Sequence, residues 1–533
     1  FIPMKANGIA LERISLGALI IALGMLVDNA IVVVEGIQIR IESGLDRMKA
    51  ATEVVASTMW PLLGGPFVAS LAVGALGFSQ DSTGEFTRSL FQVITYSLLL
   101  SWLLAVTVTP LFAVMMLKGK PEGAESKDPY GGAMFRGYRG LLGTLIQRRW
   151  LTVGVLVLIL AVAVKGFGFV QQSFFPDSTT PQFTFDYWTT QGTAIEDTRD
   201  DAAVIEEYAR SLPGVRHVAT CVGRGAPRFM LTYTAEEPNN AYAQLILEVE
   251  DYRKIGEYMA ALDEYVADHF PDALTYGRRF VLGPGGGSKI EARFSGPDRR
   301  VLRRLSDEAQ AIMRADPGAR DVRDDWREQV KIIRPVLREA SASRLGLTRA
   351  DVANAMQRTY GGVPAGIYRE GDKLIPITSR APLAERANVE NLYDLQVWSP
   401  VAGATVPIAQ VVQEFETAWV DDIIATRDRL PTITAQCNQR TGNASVVFAR
   451  VKPQIEAMEL PPGYKMEWGG EYENSSFAQQ GLAKTFPLMI LLMILITVIQ
   501  FNSIRLPMII WLTVPLALVG VTGGLLFSGV PFG

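Results

Sequence analysis

Six stretches of this chain are long and almost free of charge: Ile14–Val34, Val54–Gln80, Ser89–Leu117, Leu151–Val170, Thr485–Ile504 and Leu506–Gly533. At about 1.5 Å rise per residue, roughly twenty apolar residues cross the hydrocarbon core of a bilayer as a helix. Lipid offers no water to backbone N–H and C=O groups, so only helices and closed barrels can cross. The six runs therefore predict a multi-span α-helical membrane protein. Spans are expected at 14–36, 54–80, 89–117, 151–171, 485–504 and 506–533, the last one cut off. The chain begins at Phe1, without an initiator Met, and stops inside an apolar run. It reads as an internal piece of a longer protein, so motifs absent from it can lie elsewhere.

Only Asp28 and Lys165 carry charge inside these runs. Lys165 lies near the end of its run, where a long side chain can reach the interface. Asp28 lies in mid-run, in the text Gly24-Met-Leu-Val-Asp-Asn-Ala-Ile-Val-Val-Val-Glu35. A carboxyl at membrane depth costs several kcal/mol unless paired or wetted, which makes it a candidate for an ion or proton pathway. Gly17, Ile21, Gly24, Asp28, Val32 and Glu35 share one helical stripe, whose small residues permit close approach of another helix. That spacing predicts that Asp28 points into the bundle. Glu35 is expected at the interface. A structural aspartate, hydrogen-bonded to a neighbouring helix, is the plainer alternative.

The segment 118–150 has a basic excess, with Lys118, Lys120, Lys127, Arg136, Arg139, Arg148 and Arg149. The positive-inside tendency of short loops puts it in the cytoplasm. Its part Met134–Gln147 reads as an amphipathic helix lying on the inner membrane surface. The loop Asp81–Arg88 and the long stretch 172–483 then lie outside.

That outer stretch has ordinary charge density and an internal repeat. Ser211-Leu-Pro-Gly-Val-Arg-His-Val218 recurs as Ala315-Asp-Pro-Gly-Ala-Arg-Asp-Val322. Each copy follows an amphipathic pattern: Thr198, Ala202, Ile205, Ala209 and Leu212 in the first, Val301, Leu305, Ile312 and Met313 in the second. Strand-like text flanks both, as at Gln182–Trp188 and Lys289–Phe294. Two small α+β modules of split βαβ, ferredoxin-like type are expected, at 177–287 and at 288–351 with 431–475. The segment 352–430 interrupts the second as an insert. Gly283-Pro-Gly-Gly-Gly287 between the modules reads as a linker.

Composition narrows the functions. The formal charge of −4 gives no field suited to nucleic acid. Two histidines are too few for a histidine-rich metal site, and Met230, Met259, Met313 and Met356 are scattered. Cys221 and Cys437 fall in different modules and suit two thiols better than a bridge. The glycine-rich linker lacks Walker spacing, so an ion gradient rather than a nucleotide is the expected energy source, and no cofactor is expected. An intramembrane aspartyl protease needs two carboxylates sharing a proton, and only Asp28 lies at membrane depth.

Several motifs resemble those of the resistance–nodulation–division (RND) efflux transporters. These are Gly24–Glu35, Asp81-Ser-Thr-Gly-Glu85, Thr107-Val-Thr-Pro110, Phe174-Phe-Pro-Asp177, and Leu506-Pro with Val514-Pro-Leu516. Together they cover the chain in the family's order, from span four to span nine. The resemblance, taken to the hydrophobe- and amphiphile-exporting (AcrB-like) multidrug permeases, implies a proton-driven antiporter rather than an enzyme. It implies two porter modules and a docking insert in the periplasm of a Gram-negative inner-membrane protein. It also implies a homotrimer working with a periplasmic adaptor and an outer-membrane channel on small amphiphilic substrates. Asp28 matches the first of the two aspartates usual in drug exporters. The second position is Asn29, which hydrogen-bonds but carries no proton. The partner lysine would lie on a later span, outside this chain. The text Thr220–Met230 resembles the family's substrate-path loop, with Cys221, Gly223, Arg224, Gly225, Phe229 and Met230 as its candidate residues. An ordinary hairpin with core residues explains the same text. Export of heavy-metal cations or of lipid by an RND relative is the alternative function.

Overall fold

The computed structural model describes residues 1–117, 132–171, 173, 175, 177–230, 232–283 and 287–532. Lys118, Lys120 and Lys127 of the basic segment, Phe174 and Pro176 of the Phe174–Asp177 motif, and residues 284–286 of the glycine-rich linker lie outside the described residues.

The apolar runs form helices that extend beyond the bare membrane thickness: Arg13–Glu42, Arg47–Gly77, Ser82–Met116, Arg149–Phe167 and Gly470–Phe501. The last run is interrupted. Helices Arg505–Thr513 and Ala517–Ser528 are joined by a tight turn at Val514–Leu516. Pro515 has no N–H to continue the ladder, and the helix tightens to a single 3-10 turn there within one continuous span, Arg505–Ser528. Among the described residues, six helical segments are long and apolar enough to cross a membrane.

The first three spans form a packed group around Val33, Ile37, Ala50, Val54 and Ala105. Side-chain donors tie neighbouring spans to backbone carbonyls. The Ser101 hydroxyl donates to Leu26 O (2.8 Å) and Trp102 Nε1 to Met59 O (2.9 Å). From the fifth span, Gln500 Nε2 donates to Pro61 O (2.6 Å).

The first outer module is a four-stranded antiparallel sheet with two helices. In space its strands run Val215–Val222, Tyr242–Val249, Gln182–Trp188, Leu274–Arg279. Helices Ile195–Ser211 and Ile255–His269 follow the first and third strands in sequence. This is a βαββαβ unit, with the register running from Gln182↔Glu248 to Trp188↔Tyr242. Alternate strand residues Phe183, Phe185, Tyr187, Leu245 and Leu247 meet Ala202, Ile205 and Leu262 of the helices in one buried core.

The second module repeats this order: Ala319–Asp324, Leu430–Gln439, Ile290–Ser295, Lys465–Gly469, with helices Arg299–Ala315 and Ala444–Glu456. Both Pro-Gly repeats fall between the first helix and second strand of their module. The buried stripe of Arg299–Ala315 is Leu302, Leu305, Ser306, Ala309, Gln310 and Met313. Val301 and Ile312, assigned to that stripe by spacing, sit at its margins, only partly buried.

The insert forms a separate unit, Trp326–Ile424 with Thr189–Ala194. It begins well before 352. Strand Gln329–Leu337, which the sequence gives to the second module, pairs instead with Val412–Asp421. A core of Leu347, Val352, Val397, Ile408 and Val411 holds the unit together.

Strand Lys465–Gly469 runs directly into the fifth membrane helix at Gly470. Gly470 has φ +65°, and a Cβ there would lie 2.6 Å from Lys289 O, so glycine is required. Arg293 bonds Glu473 (2.5 Å) and Glu291 (2.7 Å), and Arg427 also reaches Glu473 (3.2 Å). These ion pairs fix the second module to the helix that enters the membrane.

Candidate functional site

The sheet of the first module has two unlike faces. One covers the helices. The other carries Thr184, Asp186, Trp188, Tyr242, Gln244 and Arg278, because strand side chains alternate. Asp186 is the lone charge in the strand Gln182-Phe-Thr-Phe-Asp-Tyr-Trp188 and is fully buried. Tyr242 OH and Gln244 Nε2 (2.7 Å) donate to Asp186 Oδ1, and Arg278 Nη2 lies 2.6 Å from its Oδ2. Burial alone would pull the Arg278 guanidinium down, but the facing Asp186 carboxylate holds it above its ordinary range. Burial, then the Asp186 charge, pushes the Tyr242 hydroxyl up, so it stays a donor. Tyr276 lies under two guanidinium groups, Arg278 at 5.2 Å and Arg323 of the second module at 3.8 Å from the ring centroid.

This network holds the loop 223–241, which joins the module's second and third strands. Gln244 Oε1 accepts from Tyr233 OH (2.6 Å) and Ala226 N (3.1 Å). Gly225 N donates to Glu236 O (3.0 Å) and Asn239 N to Gly223 O (2.9 Å). A Cβ on Gly225 would lie 2.4 Å from Glu236 N, and Gly223 has φ +79°. These glycines serve close backbone approach and a left-handed turn. Cys221 and Met230 pack against the buried Ala226, Tyr233 and Phe280. Arg224 is exposed, and Phe229 is 49% exposed while stacking on Tyr233 at 4.8 Å. The loop is a pinned hairpin with a small core and an exposed aromatic.

Between the two modules lies a cleft of about 1000 Å³. From the loop it is lined by Thr232, Tyr233 and Thr234, just downstream of the stretch chosen from sequence. Asp177, Asp263 and Asp321 face it together with Arg278, Arg279, Lys289, Arg320 and Arg440. Burial pushes the Asp263 carboxyl up, against the hydrogen bond from Thr275 Oγ1 (2.7 Å), and the Asp321 charge adds to the rise. The lining is charged and hydroxylic, with Met259 and Phe280 as smaller apolar contributions. Sequence reasoning passed over Asp186, although a single charge amid aromatic strand residues was a readable signal. Asp263 and Asp321 lie far apart in sequence and carried no signal.

In the membrane, Asp28 and Asn29 point differently. The buried stripe of Arg13–Glu42 is Ser15, Ala18, Ala22, Asn29, Val33, Ile37 and Ile41. Asp28 is exposed, on the adjoining face, and nothing lies within 4 Å of a Cβ built on Gly17 or Gly24. Neighbours in a helix stand about 100° apart, so among the described spans Asn29 takes the packed side and Asp28 the face beside it. Glu35 is exposed as well. Cys437 is buried, and burial pushes its thiol up to about 12, while Cys221 is half-buried; both are free thiols.

Helical spans joined to paired ferredoxin-like modules and an insert define a membrane transporter architecture. The chain belongs to the AcrB/AcrD/AcrF family, whose sequence model matches residues 1–533. It is similar to the nickel and cobalt resistance protein CnrA of Cupriavidus metallidurans, 26% identical over 559 residues, covering 100% of this chain and 51% of that protein. It is also similar to the cation efflux system protein CusA of Escherichia coli K12, 23% identical, covering 98% of this chain and 51% of that protein. The swarming motility protein SwrC of Bacillus subtilis is 21% identical, covering 98% of this chain and 49% of that protein. A crystal structure of a heavy metal efflux pump superposes with a TM-score of 0.80 at 21% identity, covering 100% of this chain and 52% of that one. The chain thus spans about half the length of the curated relatives it matches.

Proposed function

We propose that this chain is the half of an RND permease that joins a membrane carboxylate to an outer transport cleft, and that its cargo is a metal cation. The observation that carries the reading is the match to relatives named for metal resistance; in the cleft, Asp177, Asp263 and Asp321 stand among Thr184, Thr232 and Thr275, and among the described residues they form no group able to hold a metal. Oxygen ligands of this kind suit hard and borderline divalent cations. Arg278, Arg279, Lys289, Arg320 and Arg440 share the cleft, outnumber these three carboxylates and keep a cation from being held tightly, as a transit site requires. The relatives named for nickel and cobalt, and for cobalt, zinc and cadmium, support this cargo over the amphiphiles expected from sequence.

Asp28 is the proton carrier in this reading, and the proton gradient is the energy source. Asn29 leaves one titrating carboxylate where drug exporters carry two. The working assembly is a homotrimer in a Gram-negative inner membrane, with 172–483 in the periplasm, a periplasmic adaptor and an outer-membrane channel. Amphiphile export is the second reading, favoured by the exposed Phe229 stacked on Tyr233 and edge-on to Phe280 at 5.6 Å.

The full-length protein is to be expressed in an efflux-deficient host and challenged with cobalt, nickel, zinc, cadmium, copper and silver beside dyes and detergents. Raised tolerance to cations is expected. Tolerance to dyes and detergents alone would replace the cargo, and no change in either would contradict export.

A further inference from the structure

The helix Ala133–Gln147 lies on the chain with its side chains exposed almost throughout. Met134, Tyr138, Leu141, Leu142 and Leu145 recur at helical spacing and form one apolar stripe, widened by Ile146. Met134 is 79% exposed and Leu141 60%. A contiguous exposed apolar face of this kind marks an interaction surface. Gly140 and Gly143 lie on the far side and Gly137 beside the stripe, and a Cβ on any of the three would meet nothing within 4 Å. Three glycines disfavour a helix in water, so something outside the chain supports this one.

Position says what does. Only Arg148 separates this helix from the span Arg149–Phe167, and Thr152 Oγ1 of the span donates back to Leu145 O (2.9 Å). The apolar stripe is therefore held at the polar surface of the bilayer, whichever side that is. Trp150, 80% exposed at the same level, suits an interfacial position. Charge says which lipid. The stretch Gly132–Trp150 carries Arg136, Arg139, Arg148 and Arg149, and no carboxylate. Arg139 flanks the apolar stripe, and Arg148 and Arg149 sit where the helix meets the span.

We propose that Ala133–Gln147 is a docking element for anionic phospholipids. Its apolar stripe enters the acyl boundary, and Arg139, Arg148 and Arg149 bind headgroup phosphates, to which guanidinium groups donate bidentately. The docking is independent of cargo and of proton coupling.

The full-length protein is to be placed in nanodiscs of phosphatidylcholine, with and without phosphatidylglycerol, and amide hydrogen exchange followed across 133–147. Exchange is expected to be at least about tenfold slower with the anionic lipid, since each arginine near such a surface contributes severalfold in affinity. Arg139→Gln with Arg148→Gln and Arg149→Gln should erase the difference, and the three Lys replacements should keep most of it. Equal protection in both lipids would overturn the proposal, as would a glutamine variant that keeps the difference. Equal slowing by inorganic phosphate in zwitterionic discs would overturn it in favour of a soluble-anion site. Should the glutamine variant fail to insert, the wild-type lipid comparison decides alone.

Discussion

Asn29 and Asp28 differ in one atom group and in the surface they face. Asn29 is 8% exposed on the packed stripe of its helix, while Asp28 is exposed. Asn29→Asp would bury a carboxylate among apolar side chains at membrane depth, at a cost of about 2–3 kcal/mol. A lower yield of folded protein and a lower unfolding midpoint are expected. Wild-type stability in that variant would show that the packed stripe admits water or a cation. A second residue-scale test lies in the outer region. Burial pushes the Asp325 carboxyl up to about 6, against the hydrogen bond it accepts from Thr434 N (2.7 Å). The folded state thus holds this proton more tightly than the unfolded chain. Its contribution to stability is full below the unfolded value of about 3.9 and is lost as pH rises through about 6. Asp325→Asn keeps the acceptor and removes the titration. The variant should be more stable than wild type by about 3 kcal/mol at pH 7, with the gap closing towards pH 4 in thermal unfolding.

At the scale of elements, the loop 223–241 and the insert Trp326–Ile424 occupy the same place in their modules, between second and third strands. One βαββαβ frame carries a short pinned hairpin in the first copy and a whole unit in the second. The hairpin's pin is testable at Gly225, where a Cβ would meet Glu236 N at 2.4 Å. Backbone cannot yield as a side-chain tip does, so Gly225→Ala should cost about 1–3 kcal/mol. It should also raise amide exchange at Ala226 and Tyr233; unchanged exchange would show a loop that is not held by Gln244. The spans were legible in sequence because an apolar run is a local property. The two modules were legible because their Pro-Gly repeats mark the same turn. The start of the insert was not, since Gln329–Leu337 is assigned by its pairing with Val412–Asp421, a non-local choice. Which residues of the first span pack was not legible for a related reason: a span apolar on all sides offers little periodicity to orient it. The cleft carboxylates Asp263 and Asp321 meet only once both modules are folded.

For the whole molecule, strand Lys465–Gly469 continues into a membrane helix, and Arg293, Glu473 and Arg427 brace that junction. This junction ties the fifth span to the second module, one wall of the cleft. Whether a proton at Asp28 drives that movement is best measured with the full-length protein in proteoliposomes under an imposed pH gradient. Cobalt or zinc transport and proton flux would be followed together, in wild type and in Asp28→Asn. Gradient-dependent cation transport in wild type is expected, with both fluxes reduced at least about a hundredfold in a normally folded variant, the scale of losing an obligatory proton carrier. Undiminished gradient-driven transport in Asp28→Asn would contradict the assignment of this aspartate as the proton carrier.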